Sequence, residues 1–168
     1  MDTLTDDERH LIDWTHMLAA AAGKHVARYA EVAGPPYRSA YELLLDFGRV
    51  FAPRATPPAE STEPGQCVRN ASDYADRSDS AVVVEGLAIR AGTHGMPIEH
   101  AWCATGATAL DPTWSDGVAY LGIPFANAFR RRCQQTTGHW SLLWSTTVRD
   151  LLRDGIPDDA LADIGARP

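Results

Sequence analysis

The stretch EHAWCATGATALDPTW, residues 99–114, decides the reading of this chain. Residue types alternate from Glu99 to Ala104, Thr105-Gly106 supplies a turn, and the chain returns from Ala107 to Thr113. That pattern predicts a β-hairpin. With Thr105 and Gly106 as the two central turn residues, Ala104 faces Ala107 and His100 lies directly opposite Asp111. Opposed residues on one face have Cβ atoms about 4.5–5.5 Å apart, within reach of an imidazole–carboxylate hydrogen bond. On the first strand His100, Trp102 and Ala104 share a face, and Cys103 points to the other.

Upstream, Pro64-Gly65-Gln66-Cys67 precedes a helical pattern over residues 66–77, with Cys67 in the first turn and Ala71 and Tyr74 on its face. A thiol at a helix N-terminus feels the positive end of the macrodipole, which favours the thiolate. A cysteine nucleophile needs a base, and the base needs orienting. Cys67, His100 and Asp111 supply those three roles. Cys103 faces away from His100, and Cys133 lies among arginines, so both are expected to be structural.

The remaining chain frames this site. Residues 5–32 read as a helix carrying Leu11, Trp14, Leu18 and Val26, stopped by Gly34-Pro35-Pro36. A second helix is predicted over 39–50, with Tyr41, Leu44, Leu45 and Phe51 facing inward. The proline-rich residues 52–65 form a loop, either a plain connector or a wall over Cys67. Residues 81–90, AVVVEGLAIR, are the strongest strand, interrupted by Glu85, which either meets a basic group or faces the cleft. A further strand is expected over 118–123. Pro124 opens a helix running to about residue 135, and a long helix follows over 140–154. The domain expectation is one unit over 1–168: N-terminal helices to 51, the loop 52–65, a catalytic core over 66–123 and C-terminal helices over 124–168.

Composition narrows the function. A hydrophobic fraction of 45% suits a globular core. A net charge of −7 and a pI near 5.2 argue against nucleic-acid binding and against an anionic membrane surface. Three widely spaced cysteines and an acidic N-terminus without a signal pattern point to a cytoplasmic protein. The spacing of His94, His100 and Cys103 matches no known zinc geometry, and no phosphate-binding glycine loop is present, so no metal or cofactor is expected. Net acidity favours a basic substrate only in so far as the cleft shares it.

Three segments carry a resemblance. Gly65-Gln66-Cys67, His100-Ala101-Trp102 and Leu110-Asp111-Pro112-Thr113 resemble the G-Q-C, H-A-W and L-D-P-T segments of the transglutaminase-like superfamily. The resemblance covers residues 65–114, and Val68 stands where transglutaminases usually carry an aromatic. It implies an α+β, papain-like fold with a Cys-bearing helix packed on a small antiparallel sheet, and additional terminal helices. It also implies Cys67 as nucleophile, His100 as base and Asp111 as orienting acid, acting on the carbonyl of a peptide or amide-containing substrate. The acyl group then passes to water, as in a cysteine peptidase or amidase, or to an amine, as in an acyltransferase. Gln66 is a weak candidate for a second oxyanion donor. Trp102 and Trp114 are candidate walls of the acyl site, and Glu85 and Tyr74 are further weak substrate-binding candidates. The rival reading is a catalytically inactive scaffold serving as an interaction or assembly module. The sequence does not assign an oligomeric state.

Overall fold

The structure, a computed structural model, describes residues 4–27, 36–54 and 63–168. In chain order it contains α1 (Asp6–Ala27), α2 (Ala40–Phe47), β1 (Arg49–Pro53), α3 (Cys67–Asp76), β2 (Val82–Arg90), β3 (Ile98–Thr105), β4 (Thr108–Leu110), β5 (Gly117–Phe125), α4 (Asn127–Thr137) and α5 (Val148–Asp154). A 3₁₀ turn follows at Asp158–Ala160. The expected end of the first helix beyond residue 27, its Gly34-Pro35 stop and most of the proline-rich loop lie outside the described residues.

β2 is the hub. It pairs antiparallel with β3 on one side and β5 on the other. Both of its faces are covered, so it reads as an almost continuous apolar run. Val84 and Ala88 point inward with Phe51, Trp102, Ala104, Ala109 and Tyr120. On the outer face, Leu87 and Ile89 join Leu121, Ile123 and Phe125 beneath α1, α2, α4 and α5. Val83, Ala101 and Cys103 are covered by Ala71 and Ala75 of α3.

The expected small antiparallel sheet is instead a closed five-strand barrel, in the order β1-β4-β3-β2-β5. β1 closes it, antiparallel to β5 and parallel to β4. Closure leaves little room inside. Gly86 and Gly122 face each other across β2 and β5. A Cβ at Gly122 would stand 2.6 Å from the Trp102 ring and 2.7 Å from Val84. Gly122→Ala is therefore expected to overpack the barrel and cost about 1–3 kcal/mol, measurable by urea unfolding.

Three expected elements are corrected. The helix predicted over 39–50 ends at Phe47, because Gly48 donates to Leu44 O and turns extended. A Cβ at Gly48 would lie 2.2 Å from that carbonyl. Residues 49–53 then form β1, with Phe51 in the barrel rather than on a helix. Pro124 does not open a helix. β5 runs through it, opposite Val84, and α4 starts at Asn127; a proline near a strand end costs one ladder bond.

The long helix expected over 140–154 shrinks to α5. Over residues 140–147 local side-chain bonds replace helical ones: Ser141 Oγ accepts from Trp144 N at 2.8 Å, and Ser145 Oγ donates to Ser141 O at 2.6 Å. Such serine and threonine bonds compete with the helix. Glu85 fixes the result. Its fully buried carboxylate accepts from Ser141 Oγ at 2.6 Å, Leu142 N at 2.9 Å and Leu143 N at 3.0 Å.

Candidate active site

The hairpin forms with its turn displaced. Thr105 pairs with Thr108 and Cys103 with Leu110, so Gly106 and Ala107 are the turn residues and Gly106 takes a φ of 56°. The ladder is thus offset by two residues from the expected Ala104–Ala107 pairing. Side chains alternate with a period of two, so the offset preserves the face while moving Asp111 diagonally from His100. β4 ends at Leu110, which frees the Asp111 side chain to turn inward. His100 Nε2 meets Asp111 Oδ2 at 2.7 Å, with side chains 1% and 4% exposed.

Asp111 is held on all sides. Oδ1 accepts from the backbone N–H groups of Thr113 at 2.8 Å and Trp114 at 2.9 Å, in an Asx-type turn. Oδ2 accepts from His100 and from Tyr120 Oη at 2.9 Å. The turn places the Trp114 ring flat on His100, with centroids 3.5 Å apart and planes 3° from parallel. Arg90 lies over Trp114 at 4.9 Å and forks onto Asp116 at 2.9 and 3.0 Å. The imidazole is thus fixed by a hydrogen bond at its edge and a stack on its face.

Cys67 is the first residue of α3. Ala71 and Ala75, one and two turns further, seat the helix on the outer side of β3. The β3–β4 ladder covers only Cys103 to Thr105, so the start of β3 has an open edge on that side. The thiol meets the barrel at this edge, where it hydrogen-bonds His100 and receives the backbone N–H groups of Ala101 and Val68. Because Nε2 is taken by Asp111, Nδ1 is left for Cys67. Asn70 locks the approach by donating to Glu63 O at 2.8 Å and Thr113 Oγ1 at 3.1 Å, which ties the helix start to the Asp111 turn.

The electrostatics follow from these contacts. Burial alone would push the Cys67 thiol up, but the His100 hydrogen bond and charge, with the two N–H groups, outweigh it and hold the thiol below its ordinary value. Burial alone would lower His100; its bonds to Asp111 and Cys67 outweigh that and hold it above the usual imidazole range. Both directions favour a thiolate–imidazolium pair. Cys103 behaves oppositely. Its Sγ donates to Ala71 O at 3.0 Å, and burial pushes its thiol up to about 12. Burial also raises Cys133.

The weaker candidates separate. Gln66 precedes the helix and, with Gly65, Val68, Arg69, Trp140 and Ser141, lines a pocket of about 190 Å³ that opens on Cys67. Trp114 stacks on the base. Trp102 is not an acyl wall: it fills the barrel, fully buried, 6.2 Å from His100. Tyr74 packs on the cluster between α3 and the barrel and is not in the pocket lining. Glu85 neither bonds a basic group nor faces the cleft; it holds the segment that supplies Trp140 and Ser141.

Sequence reasoning missed Tyr120, Asn70 and the wall formed by residues 140–141. Tyr120 was legible from the period of β5, which puts it inside with Gly122. Tyr120→Phe is expected to lower His100-dependent reactivity of Cys67 several-fold, with unfolding nearly unchanged, as labelling rates and melting curves would show. Nothing local marks the other two.

Among the described residues, no group of three or more His, Cys, Asp or Glu side chains is placed to hold a metal ion, and no helix is long and apolar enough to cross a membrane. No family model, curated protein or solved structure matches the chain.

Proposed function

We propose that this protein is a cysteine-nucleophile enzyme that cleaves or transfers at an amide or ester carbonyl. Within that class its type is transglutaminase-like, with a papain-like arrangement of helix and barrel and Cys67, His100 and Asp111 as the triad. One observation carries the reading: a buried histidine bonded at 2.7 Å to a buried aspartate faces a half-buried thiol at a helix start and favours its thiolate.

The chemistry runs in two halves. The Cys67 thiolate adds to the carbonyl carbon, and the oxyanion draws on N–H groups at the start of α3, where the first helical donors have no intrahelical partner. The tetrahedral adduct collapses, the carbon–nitrogen or carbon–oxygen bond breaks, and His100 gives its proton to the leaving group. A thioester on Cys67 remains. Water or an amine then attacks it, His100 takes the proton, and the thiolate is restored. Asp111 stays ionised throughout and holds the imidazole in position.

The test is a pH profile. Turnover of p-nitrophenyl acetate is expected to be bell-shaped. It rises as Cys67 ionises, below the ordinary cysteine range. It falls as His100 loses its proton, above the ordinary imidazole range. Asp111→Asn removes the support for the imidazolium and is expected to move the alkaline limb to lower pH. A single limb at an ordinary cysteine value would overturn the reading.

A further inference from the structure

The pocket at Cys67 has one cationic side chain in its lining. Arg69 is the only ionisable side chain besides Cys67 among its lining residues. Its guanidinium is 56% exposed and lies over the Trp140 ring at 5.8 Å. Asp73, one turn on, forms an ion pair with it at 3.9 Å, a separation beyond hydrogen-bonding distance. Among the described residues no hydrogen bond engages the Arg69 fork. Other arginines of this region are committed: Arg130 and Arg131 both bond Asp76, and Arg90 forks onto Asp116.

Across Trp140 lies a second depression of about 370 Å³, lined by Asp76, Arg131, Gln134, Gln135, Gly138 and His139. The two hollows share the Trp140 indole, which is 47% exposed. In the second hollow Asp76 is bonded by Arg131, which lines it, and by the buried Arg130, which does not. Within the lining of the two hollows Asp76 answers Arg131, and Arg69 is the cation beside Cys67, in a chain whose net charge is −7. Trp140 itself is held in place, since Gln134 Nε2 donates to its carbonyl at 2.8 Å and Glu85 anchors the next three residues.

We infer that this site takes an acyl donor with a carboxylate near the reacting carbonyl, such as an acidic side chain or terminal carboxylate of a peptide. Arg69 reads the charge and Trp140 supports the acyl chain. This rests on the thiolate reading of Cys67. A planar guanidinium with unused donors matches a carboxylate in a two-point fork, and its stacking on indole keeps the fork oriented without occupying its edge. The overall acidity of the chain favours basic molecules, and the local charge of Arg69 selects acidic ones at the thiol against that background.

The experiment compares three methanethiosulfonates that differ only in charge: sulfonatoethyl (anionic), methyl (neutral) and trimethylammonioethyl (cationic). Labelling of Cys67 is followed by intact mass at pH 7 and low salt, with Cys67→Ser giving the background from the other thiols. The anionic reagent is expected to react about tenfold faster than the cationic one. That ratio falls toward one in Arg69→Gln, persists in Arg69→Lys, and shrinks as salt is added. In parallel, p-nitrophenyl hemisuccinate is expected to exceed p-nitrophenyl butyrate in kcat/KM by a similar factor, lost in Arg69→Gln.

A ratio at or below one, or a ratio that survives Arg69→Gln, overturns the substrate assignment. Failure of the underlying reading looks different. Cys67 then reacts with the neutral reagent no faster than an ordinary thiol, and His100→Ala does not change that rate.

Discussion

Replacing His100 with alanine is expected to slow iodoacetamide labelling of Cys67 at pH 7 by about a hundredfold. In the intact site the thiol is below its ordinary value because His100, with the backbone N–H groups of Ala101 and Val68 as smaller contributors, outweighs the cost of burial. Without the imidazole the burial remains and its effect reverses the balance, so the thiolate fraction collapses. Cys103 and Cys133, both raised by burial, are slow in either protein and serve as internal references. His100→Ala also removes the ring on which Trp114 stacks. Asp111→Asn is the control: it keeps the imidazole in place and is expected to give an intermediate rate. Peptide mapping of the labelled protein reads both. Labelling of Cys67 at the same rate in all three proteins would separate the thiol from the histidine.

Glu85→Ala is expected to cost about 2–4 kcal/mol, since it leaves the buried N–H groups of Leu142 and Leu143 without an acceptor. For a chain of this size the melting temperature should fall by roughly 5–15 °C, which circular dichroism would record. The effect reaches the site through the chain itself, because residues 140 and 141 wall the Cys67 pocket. Ser141→Ala removes only the hydroxyl arm of the same network and is expected to cost far less. There is also a pH signature. Burial holds the Glu85 carboxyl above its ordinary range despite the donors from Leu142, Ser141 and Leu143. The folded state therefore binds that proton more tightly than the unfolded chain. The resulting stability is fully present below the ordinary carboxyl range and is lost as pH rises through the raised value. Glu85→Gln is expected to flatten that slope. A melting temperature unmoved by Glu85→Ala would mean that the carboxylate does not hold the segment.

The two halves of the site were unequally legible in the sequence. The His100–Asp111 pair was readable because side chains alternate along a strand. A ladder offset by two residues still left both on one face, whereas an offset of one would have separated them. The start of α3 at Cys67 was readable from Pro64-Gly65 and the helical pattern after it. How the cysteine reaches the histidine was not. It depends on β4 stopping after three residues and exposing an edge of β3, a matter of barrel closure that no local pattern records. β1 was hidden for a related reason. Arg49-Val50-Phe51 continues the apolar spacing of α2, and only the turn at Gly48, whose N–H closes on Leu44 O as the backbone goes extended, ends the helix there. Residues 140–147 carry helical spacing in Trp140, Leu143 and Trp144, yet the Glu85 carboxylate, more than fifty residues earlier, takes the N–H groups of Leu142 and Leu143. Glu85 was recognised as needing a partner; that the partner would be backbone lay beyond sequence reasoning.

The central claim is that Cys67 forms a covalent acyl intermediate driven by the His100–Asp111 pair. The most direct measurement is the intact mass of the protein quenched in acid during turnover of p-nitrophenyl acetate. The account predicts one added acetyl group, mapped to Cys67, absent from Cys67→Ser and strongly reduced in His100→Ala. A protein that stays unacylated, or that carries the acetyl group on another residue, would contradict it and leave an inactive scaffold as the reading.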